Sequence, residues 1–186
     1  MNPITDCGSS RPRFAKTRCG GSRQFLLVHY AGDGTVGLVI NRKTALPVSR
    51  VLPDLKGLSN DSQSAYEGGP VDTGVVQALL QLPAGPQDAI HLFGKLYLVS
   101  QKEQLEKALV TRKGSGELRI YLGYSGWGPG QLEHEVAEGD WYIFDGSEGV
   151  VFDSNPSSLW SRMVARTELR FARLQHLFDG RRVPAT

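Results

Sequence analysis

The sequence predicts an α+β fold, in which mostly antiparallel strands are interspersed with a few short helices. Two apolar runs joined by the turn GDGT indicate a β-hairpin early in the chain. Helical patterns occur between later strands, but without the regular alternation that a doubly wound parallel sheet requires. With 186 residues, of which 40% are hydrophobic and 22% charged, the chain can bury one sizeable core.

The first half of the chain is predicted to hold most of the strands. FLLVHYA (25–31) and VGLVIN (36–41) form the hairpin, and Pro47 then begins a short helix. AYEGGPVDTGVVQALLQL contains a tight Gly-Gly-Pro corner followed by a strand. IHLFGKLYLVS (90–100) is predicted to be a single further strand, because it is an almost continuous apolar run.

The second half is predicted to mix helices and strands. Ser100 and Glu103 form a capping box ahead of the helix QKEQLEKAL. The strand ELRIYLGYSG runs into a glycine-rich stretch, after which Pro129 occupies the first turn of a helix in GPGQLEHEVAEG. WYIFD and GVVFD are predicted to be two short strands around the turn GSEG, and a last helix begins at Asn155-Pro156.

Charge is distributed unevenly along the chain. Residues 1–24 and 161–186 each carry a net charge of +4, whereas residues 25–160 carry −6. Basic ends can bind nucleic acid or an anionic surface, although solvated tails are the commoner explanation. The acidic core and the lack of a helix-turn-helix pattern argue against direct DNA binding.

Cysteine content, apolar runs and motif spacing indicate the expected cellular compartment and bound groups. Cys7 and Cys19 are its two cysteines, and their spacing gives no disulfide framework, which suits the reducing cytoplasm. No apolar run approaches the length of a membrane span, so no membrane partner is expected. The sequence offers no cofactor motif and no metal-ligand spacing, so we predict neither group.

Three motif-like patterns favour a structural explanation. Residues 32–37 satisfy GxGxxG, but a strand follows where a dinucleotide site requires a helix. HEVAE (134–138) resembles the zinc-binding HExxH helix, yet Glu138 takes the place of the second histidine. Ser125 lies between glycines after a strand, but Trp127 replaces the second glycine of a nucleophile elbow.

The stretch GYSGWGPGQLEHEV (123–136) places four glycines, a proline and a tryptophan ahead of a helix. The glycines can direct backbone amides toward an anion at the helix N-terminus, or they can let Trp127 fold under the loop and pack. In the second arrangement, Gln131 and Glu133 would satisfy the first-turn amides. A rigid structural corner is favoured, and a ligand cradle is the alternative.

Several blocks of the sequence, in the right order, resemble the AlgH/YqgE-like family of bacterial proteins. The blocks are GLVINR (37–42), YEGGPV (66–71), GYSGWGPGQLEHE (123–135), Trp141 and VFD…LW (151–160). The resemblance implies a small cytosolic protein of undemonstrated activity, with a curved, largely antiparallel sheet and a smaller lobe. A regulatory role in alginate production has been proposed within the family, and the description "transcriptional regulator" derives from that proposal.

The motif blocks supply a set of candidate residues for a surface or ligand-binding site. The set joins polar, glycine and aromatic positions: Asn41, Arg42, Glu67, Gly68, Gly69, Tyr124, Trp127, Gln131 and Glu133. We assign no catalytic residue.

The start of the chain departs from the family pattern. PRFAKT (12–17) resembles the segment that leads into the first hairpin of the family, but RCGGSRQF separates it from that hairpin. The apolar strand expected before Pro12 is also missing from the sequence. We therefore expect disorder in residues 1–22, a single domain over 23–178 and a tail over 179–186.

Three functions are compatible with these observations. A non-enzymatic regulatory or interaction protein is favoured, because the motifs are rich in glycine, proline and tryptophan but poor in matched acid–base pairs. A small hydrolase or transferase could instead use Glu67 or Glu133 as a base near Arg42. Binding of an anion or of nucleic acid could use the arginines of the last helix, Arg162, Arg166, Arg170 and Arg173.

Overall fold

The computed structural model describes residues 13–17, 23–54, 63–112 and 117–165. Within these residues, ten strands and several short helices confirm the α+β class, and the sheet is curved and largely antiparallel. The strands are β1 (Arg13–Thr17), β2 (Phe25–Ala31), β3 (Gly34–Val39), β4 (Lys43–Pro47), β5 (Ser64–Glu67), β6 (Val71–Gln81), β7 (Ile90–Phe93), β8 (Leu96–Val99), β9 (Leu118–Trp127) and β10 (Trp141–Asp145). The helices are α1 (Val48–Val51), α2 (Lys102–Arg112), α3 (Gln131–Ala137) and α4 (Glu148–Val151), and a 3₁₀ turn at Pro156–Ser158 leads into helical residues 159–165.

Strand β9 organises the sheet, which runs in the order β10-β1-β2-β3-β9-β6-β8-β7. Strand β3 pairs with the end of β9 near Trp127, and β6 pairs with β9 in the antiparallel sense. Strand β5 pairs with β9 in the parallel sense at Tyr121 and Leu122, and β4 pairs with β5. The same two residues of β9 also pair with β6, so β5 and β6 must lie along opposite edges of β9.

The chain between β5 and β6 therefore crosses β9, and it does so at the Gly-Gly-Pro corner. A Cβ atom on Gly68 would lie 2.1 Å from the carbonyl oxygen of Gly123, and one on Gly69 would lie 2.2 Å from backbone atoms of Tyr124. Gly123 has a φ of +68°, which a residue with a side chain rarely adopts. The glycines of YEGGPV and GYSGW are thus needed because two backbones touch where they cross.

Three apolar clusters form the core. The largest lies under β2, β3, β8 and β9 and includes Leu26, Leu38, Tyr121, Leu159 and Met163. A second cluster joins β6, β8, β9 and α2 around Leu80 and Leu105, and a third joins β2, α3 and β10 around Phe25, Leu132 and Trp141. The third cluster positions the glycine-rich stretch described below.

Two predicted strands were wrong in detail. The run 90–100 folds into a hairpin of β7 and β8, because Gly94 adopts a φ of +50° and turns the chain. The first three residues of GVVFD belong to the short helix α4, in which Val150 and Val151 donate backbone hydrogen bonds to the Ser147 carbonyl. The helical turn buries Val151 completely, so tertiary packing overrides the β-propensity of the two valines. Strand β4 was not predicted.

The terminal predictions fall largely outside the described residues. Of segment 1–22, the structure describes only Arg13–Thr17, which form β1 between β2 and β10. Residues 166–186, which include the predicted tail, lie outside the described residues.

Candidate functional site

The glycine-rich stretch forms a sharp connection between β9 and α3. Gly130 adopts a φ of +73° immediately before the first helical residue, and Gln131 donates its backbone N–H to the Gly128 carbonyl at 3.1 Å. The Gln131 side chain returns the contact, because its Oε1 accepts the Gly128 N–H at 3.0 Å. These bonds close the turn of residues 128–131, which leads into α3. No described hydrogen bond joins the Gln131 or Glu133 side chain to an N–H of the first helical turn.

One carboxylate fixes the tryptophans around this connection. Oε2 of Glu135 accepts hydrogen bonds from Nε1 of Trp127 at 3.2 Å and from Nε1 of Trp141 at 2.8 Å. Its Oε1 accepts a third from Nε2 of Gln131 at 2.9 Å. Residues 126–131 with Glu135 and Trp141 are called the tryptophan corner below. Hydrogen bonds to a charged acceptor are stronger than neutral ones, so Glu135 is the centre of this corner.

Aromatic packing reinforces the tryptophan corner. The rings of Phe25, Trp127 and Trp141 meet edge to face in all three pairs, with centroid separations of 5.5–5.6 Å. Such pairs contribute about 0.5–1.5 kcal/mol each beyond their buried area. The corner is thus held by packing on one side and by Glu135 on the other.

The outer side of the tryptophan corner is open to solvent. Gly126, Gly128, Pro129, Gly130 and Gln131 are all exposed. Thr35 pairs with Trp127, which places the exposed turn at residues 31–33 beside the corner. A rigid surface with little side-chain cover results.

The second group of candidate residues surrounds the crossing of β9. Asn41 is buried, with 5% of its surface exposed, and its Oδ1 accepts the backbone N–H of Gln24 at 2.8 Å. Arg42 is exposed, and its carbonyl accepts the Glu67 N–H at 2.9 Å. The Glu67 carboxylate binds the Arg23 guanidinium at 2.9 Å. Asn41 therefore has a structural role, and Glu67 already has a cationic partner.

The remaining candidates divide between the two places. Gly68, Gly69 and the half-buried Tyr124 belong to the crossing, whereas Trp127 and Gln131 belong to the tryptophan corner. Within the described residues, the Glu133 side chain makes no hydrogen bond or ion pair. The Ser125 hydroxyl is buried, and no described residue lies in hydrogen-bond contact with it as a base.

Sequence reasoning missed Arg119, which projects from β9 toward the last described segment. Its guanidinium donates to the carbonyls of Val151, at 2.7 Å, and of Asp153. It also lies over the Tyr66 ring, 4.7 Å from the centroid. No local pattern marks this residue, because its partners lie more than thirty positions away in sequence. Arg119 therefore ties the region after α4 to the sheet.

Of the four arginines predicted to bind anions, the structure describes Arg162. Its Nη2 binds Oδ1 of Asp153 at 2.6 Å and also donates to the Asn155 carbonyl at 3.1 Å. The hydrogen bond between the Arg162 guanidinium and the Asp153 carboxylate is the main reason that the pKa of Asp153 is lowered. The same bond raises the pKa of Arg162. Arg166, Arg170 and Arg173 lie outside the described residues.

A further missed carboxylate, Glu148, joins α4 to the β7–β8 hairpin. Its Oε1 accepts the Lys95 N–H at 2.5 Å and its Oε2 accepts Nε2 of Gln81 at 2.8 Å. The backbone N–H of Lys95 lowers the pKa of this carboxyl, and the Gln81 bond adds to the effect. Glu148 is thus committed to structure.

In the described part of the chain, no group of three His, Cys, Asp or Glu side chains could hold a metal ion. None of the helices described is long and apolar enough to cross a membrane.

Comparisons with known proteins match most of the chain. Residues 23–172 match the model of the AlgH-like family. A UPF0301 protein of Streptomyces avermitilis is 35% identical over 147 residues, which cover 76% of this chain and 75% of the relative. A UPF0301 protein of Mycobacterium tuberculosis is 32% identical over 148 residues, covering 77% and 72% of the two chains.

Two solved structures are similar to this fold. The solution structure of the AlgH protein from Pseudomonas aeruginosa aligns with a TM-score of 0.68 at 26% identity, covering 88% of this chain and 92% of that one. The crystal structure of a protein from Corynebacterium diphtheriae aligns with a TM-score of 0.69 at 20% identity, covering 83% and 85%. The second likeness concerns the fold alone.

Proposed function

Because this chain belongs to the AlgH-like family, we propose that it is a non-enzymatic regulatory or interaction protein whose tryptophan corner forms the partner-binding surface. We place this role in the cytosol, since the two cysteines fit a reducing compartment.

The observation that carries the proposal is the anchoring of two indoles and Gln131 by Glu135. This anchoring fixes a segment whose exposed residues are mostly glycine and proline. A partner that binds there orders few side chains, so little conformational entropy is lost. The partner would recognise the fixed shape of this backbone, because the N–H and C=O of Gly128 already bond to Gln131 and the Gly130 carbonyl already accepts the His134 N–H.

The state of the carboxylates supports a non-enzymatic role. A general base needs a free carboxylate within reach of its substrate. Glu135 is bound by two indoles, Glu67 by Arg23 and Glu148 by Lys95 and Gln81. These three acids already serve structural contacts. Glu133, the other candidate base, is not ion-paired with Arg42 among the described residues, which also favours binding over proton transfer.

The test is capture of partners by tagged protein in which only the outer side of the corner is changed. A Cβ on Gly128 would find its nearest neighbour at 3.9 Å, the end of the Gln131 side chain, so Gly128→Arg fits without strain. Gly149→Arg is the matched control, because it adds the same side chain at an exposed position in α4 where nothing lies within 4 Å.

We expect at least one protein to be recovered with the unchanged chain and with Gly149→Arg, and about tenfold less of it with Gly128→Arg. Direct titration of that purified protein against the three chains would follow. Equal recovery by both variants of every captured protein would refute the proposed surface.

A further inference from the structure

The two segments that build the tryptophan corner and its surroundings contain no lysine or arginine. Residues 24–41 form β2, β3 and the turn between them, and residues 120–161 include the corner, α3 and β10. The first segment carries one acidic residue and the second carries seven, although the whole chain has a net charge of +2. Negative charge is therefore concentrated in the part of the sequence that forms this surface.

Helix α3 carries part of this charge on the side that bonds to the corner. Gln131 and Glu135 lie four residues apart and bond to each other at 2.9 Å, so they mark that side of the helix. Glu138 follows Glu135 by three residues in helical conformation, so it lies on the same side, with 60% of its side chain exposed. Asp140 is also exposed, and its backbone N–H donates to the Glu135 carbonyl at 3.0 Å.

The turn between β2 and β3 adds a third carboxylate. A Cβ atom on Gly34 would lie 2.8 Å from the carbonyl oxygen of Trp127 and 4.0 Å from the carbonyl carbon of Gly128, so the turn touches the corner. Asp33 immediately precedes Gly34, and 79% of its side chain is exposed. The three residues Asp33, Glu138 and Asp140 are called the corner carboxylates below.

The described cations that contact the corner carboxylates are histidines. Nε2 of His29 lies 3.1 Å from Oδ1 of Asp33, and Nε2 of His134 lies 3.4 Å from Oε1 of Glu138. Histidine is mostly neutral above pH 7. Among the described residues, no lysine or arginine forms an ion pair with a corner carboxylate. The surface therefore keeps a negative charge at neutral pH.

Charge complementarity favours partners of opposite sign and speeds their encounter. On the premise of the proposed function, that the tryptophan corner binds a partner, we infer that this partner presents a cationic segment, rich in lysine or arginine, to the corner carboxylates. The rigid backbone of the corner supplies the shape that is recognised, and the carboxylates supply the sign of the charge. An acidic segment would be repelled from the same surface.

An oligolysine peptide is the probe, titrated by calorimetry into the full chain at about pH 7.5, where histidine is mostly neutral. At about 0.1 M salt the Debye length is about 10 Å, so distant charges contribute little. One variant neutralises the corner carboxylates by Asp33→Asn, Glu138→Gln and Asp140→Asn. The matched control has the same net charge but neutralises three exposed carboxylates elsewhere, by Asp88→Asn, Glu103→Gln and Glu117→Gln.

We expect the corner variant to bind oligolysine at least about fivefold more weakly than the unchanged chain, and the control variant to change the affinity by less than about twofold. Gly128→Arg should also weaken binding, because it adds a positive charge within the corner, whereas Gly149→Arg should not. Equal losses in the two neutralised variants would overturn the inference, and so would the absence of oligolysine binding to the unchanged chain.

A captured partner separates this inference from the proposed function. A partner that is lost with Gly128→Arg, but that binds equally well when the corner carboxylates are neutralised, would overturn the cationic segment and leave the proposed surface intact. Parallel loss of that partner with Gly128→Arg and with the corner variant, but not with the control variant, would support both.

Discussion

Glu135 holds the indole of Trp141 through a hydrogen bond of 2.8 Å from Nε1 to Oε2, and the same oxygen also accepts the Trp127 indole. One carboxylate thereby connects the end of β9, the helix α3 and the start of β10. The contact explains why a proline–glycine turn, two tryptophans and an acidic helix occur together in this sequence: each part positions the next.

We predict that Glu135→Gln lowers the free energy of unfolding by about 2 kcal/mol, because hydrogen bonds to a charged acceptor contribute about 1.5–3 kcal/mol. For a chain of this size, that loss corresponds to roughly 4–8 °C in the melting temperature. Thermal denaturation followed by circular dichroism measures it. Glu133→Gln, on the same helix but without a hydrogen bond, should change the melting temperature by about 1 °C at most. Similar shifts for both variants would contradict the central role of Glu135.

We predict that Gly69→Ala costs about 4 kcal/mol or prevents folding. Its new methyl group would lie 2.2 Å from the backbone of Tyr124 in β9. The strands on either side of Gly69, β5 and β6, cannot withdraw without losing their pairing with β9. The yield of soluble protein and urea denaturation are the measurements. Gly126→Ala is the control, since its methyl group would contact only the Tyr124 ring, at 3.9 Å. A Gly69→Ala protein as stable as the control would show that the two backbones do not cross so closely.

The elements that the sequence predicted correctly are those with a local cause. The hairpin of β2 and β3 follows from two apolar runs around a Gly-Asp-Gly turn, and α3 from a proline and a glycine at its start. The run 90–100 was assigned to one strand because its turn at Gly94 has no second glycine or asparagine beside it. GVVFD begins in a helix because packing buries Val151, and this burial cannot be predicted from the neighbouring sequence.

The candidate site shows the same division. Trp127 and Gln131 could be selected from the motif, because the glycines around them indicate a special backbone. Glu135 could not, since its role depends on Trp141 arriving from the next strand. The i, i+4 spacing of Gln131 and Glu135 was the available signal, and it connects side chains on one helical face.

We predict that Arg119→Met loosens the region after α4 while the sheet persists. The substitution removes the donors to the carbonyls of Val151 and Asp153, and leaving these groups unpaired costs about 1–3 kcal/mol. Hydrogen exchange measured by mass spectrometry should show faster exchange in residues 148–165 and little change in β6 and β9. Arg50→Met, at an exposed position in α1, is the control and should leave both regions unchanged. Uniformly faster exchange throughout Arg119→Met would show a global effect and contradict the local role.

We predict that Glu148 makes stability depend on pH in the acid range. Its hydrogen bonds with the Lys95 N–H and Gln81 lower the pKa of the folded carboxyl below its ordinary value of 4.5. A lowered folded-state pKa means that the unfolded chain binds the proton more readily, so the contribution of Glu148 is fully present above about pH 4.5 and is lost as the pH falls through the folded-state value. Glu148→Gln removes this titration, because the amide stays neutral at every pH.

Urea denaturation at pH 7, 5, 4 and 3 measures the difference between the unchanged chain and Glu148→Gln. At pH 7 and 5 the variant should be less stable by a constant amount, and the difference should shrink at pH 4 and again at pH 3. The Glu133→Gln chain is the control for the substitution itself, since the Glu133 side chain makes no described hydrogen bond that the change could remove. A difference in stability between the two chains that stays constant down to pH 3 would mean that folding does not favour the carboxylate form of Glu148. The link between α4 and the β7–β8 hairpin would then depend on the shape of the side chain and not on its charge.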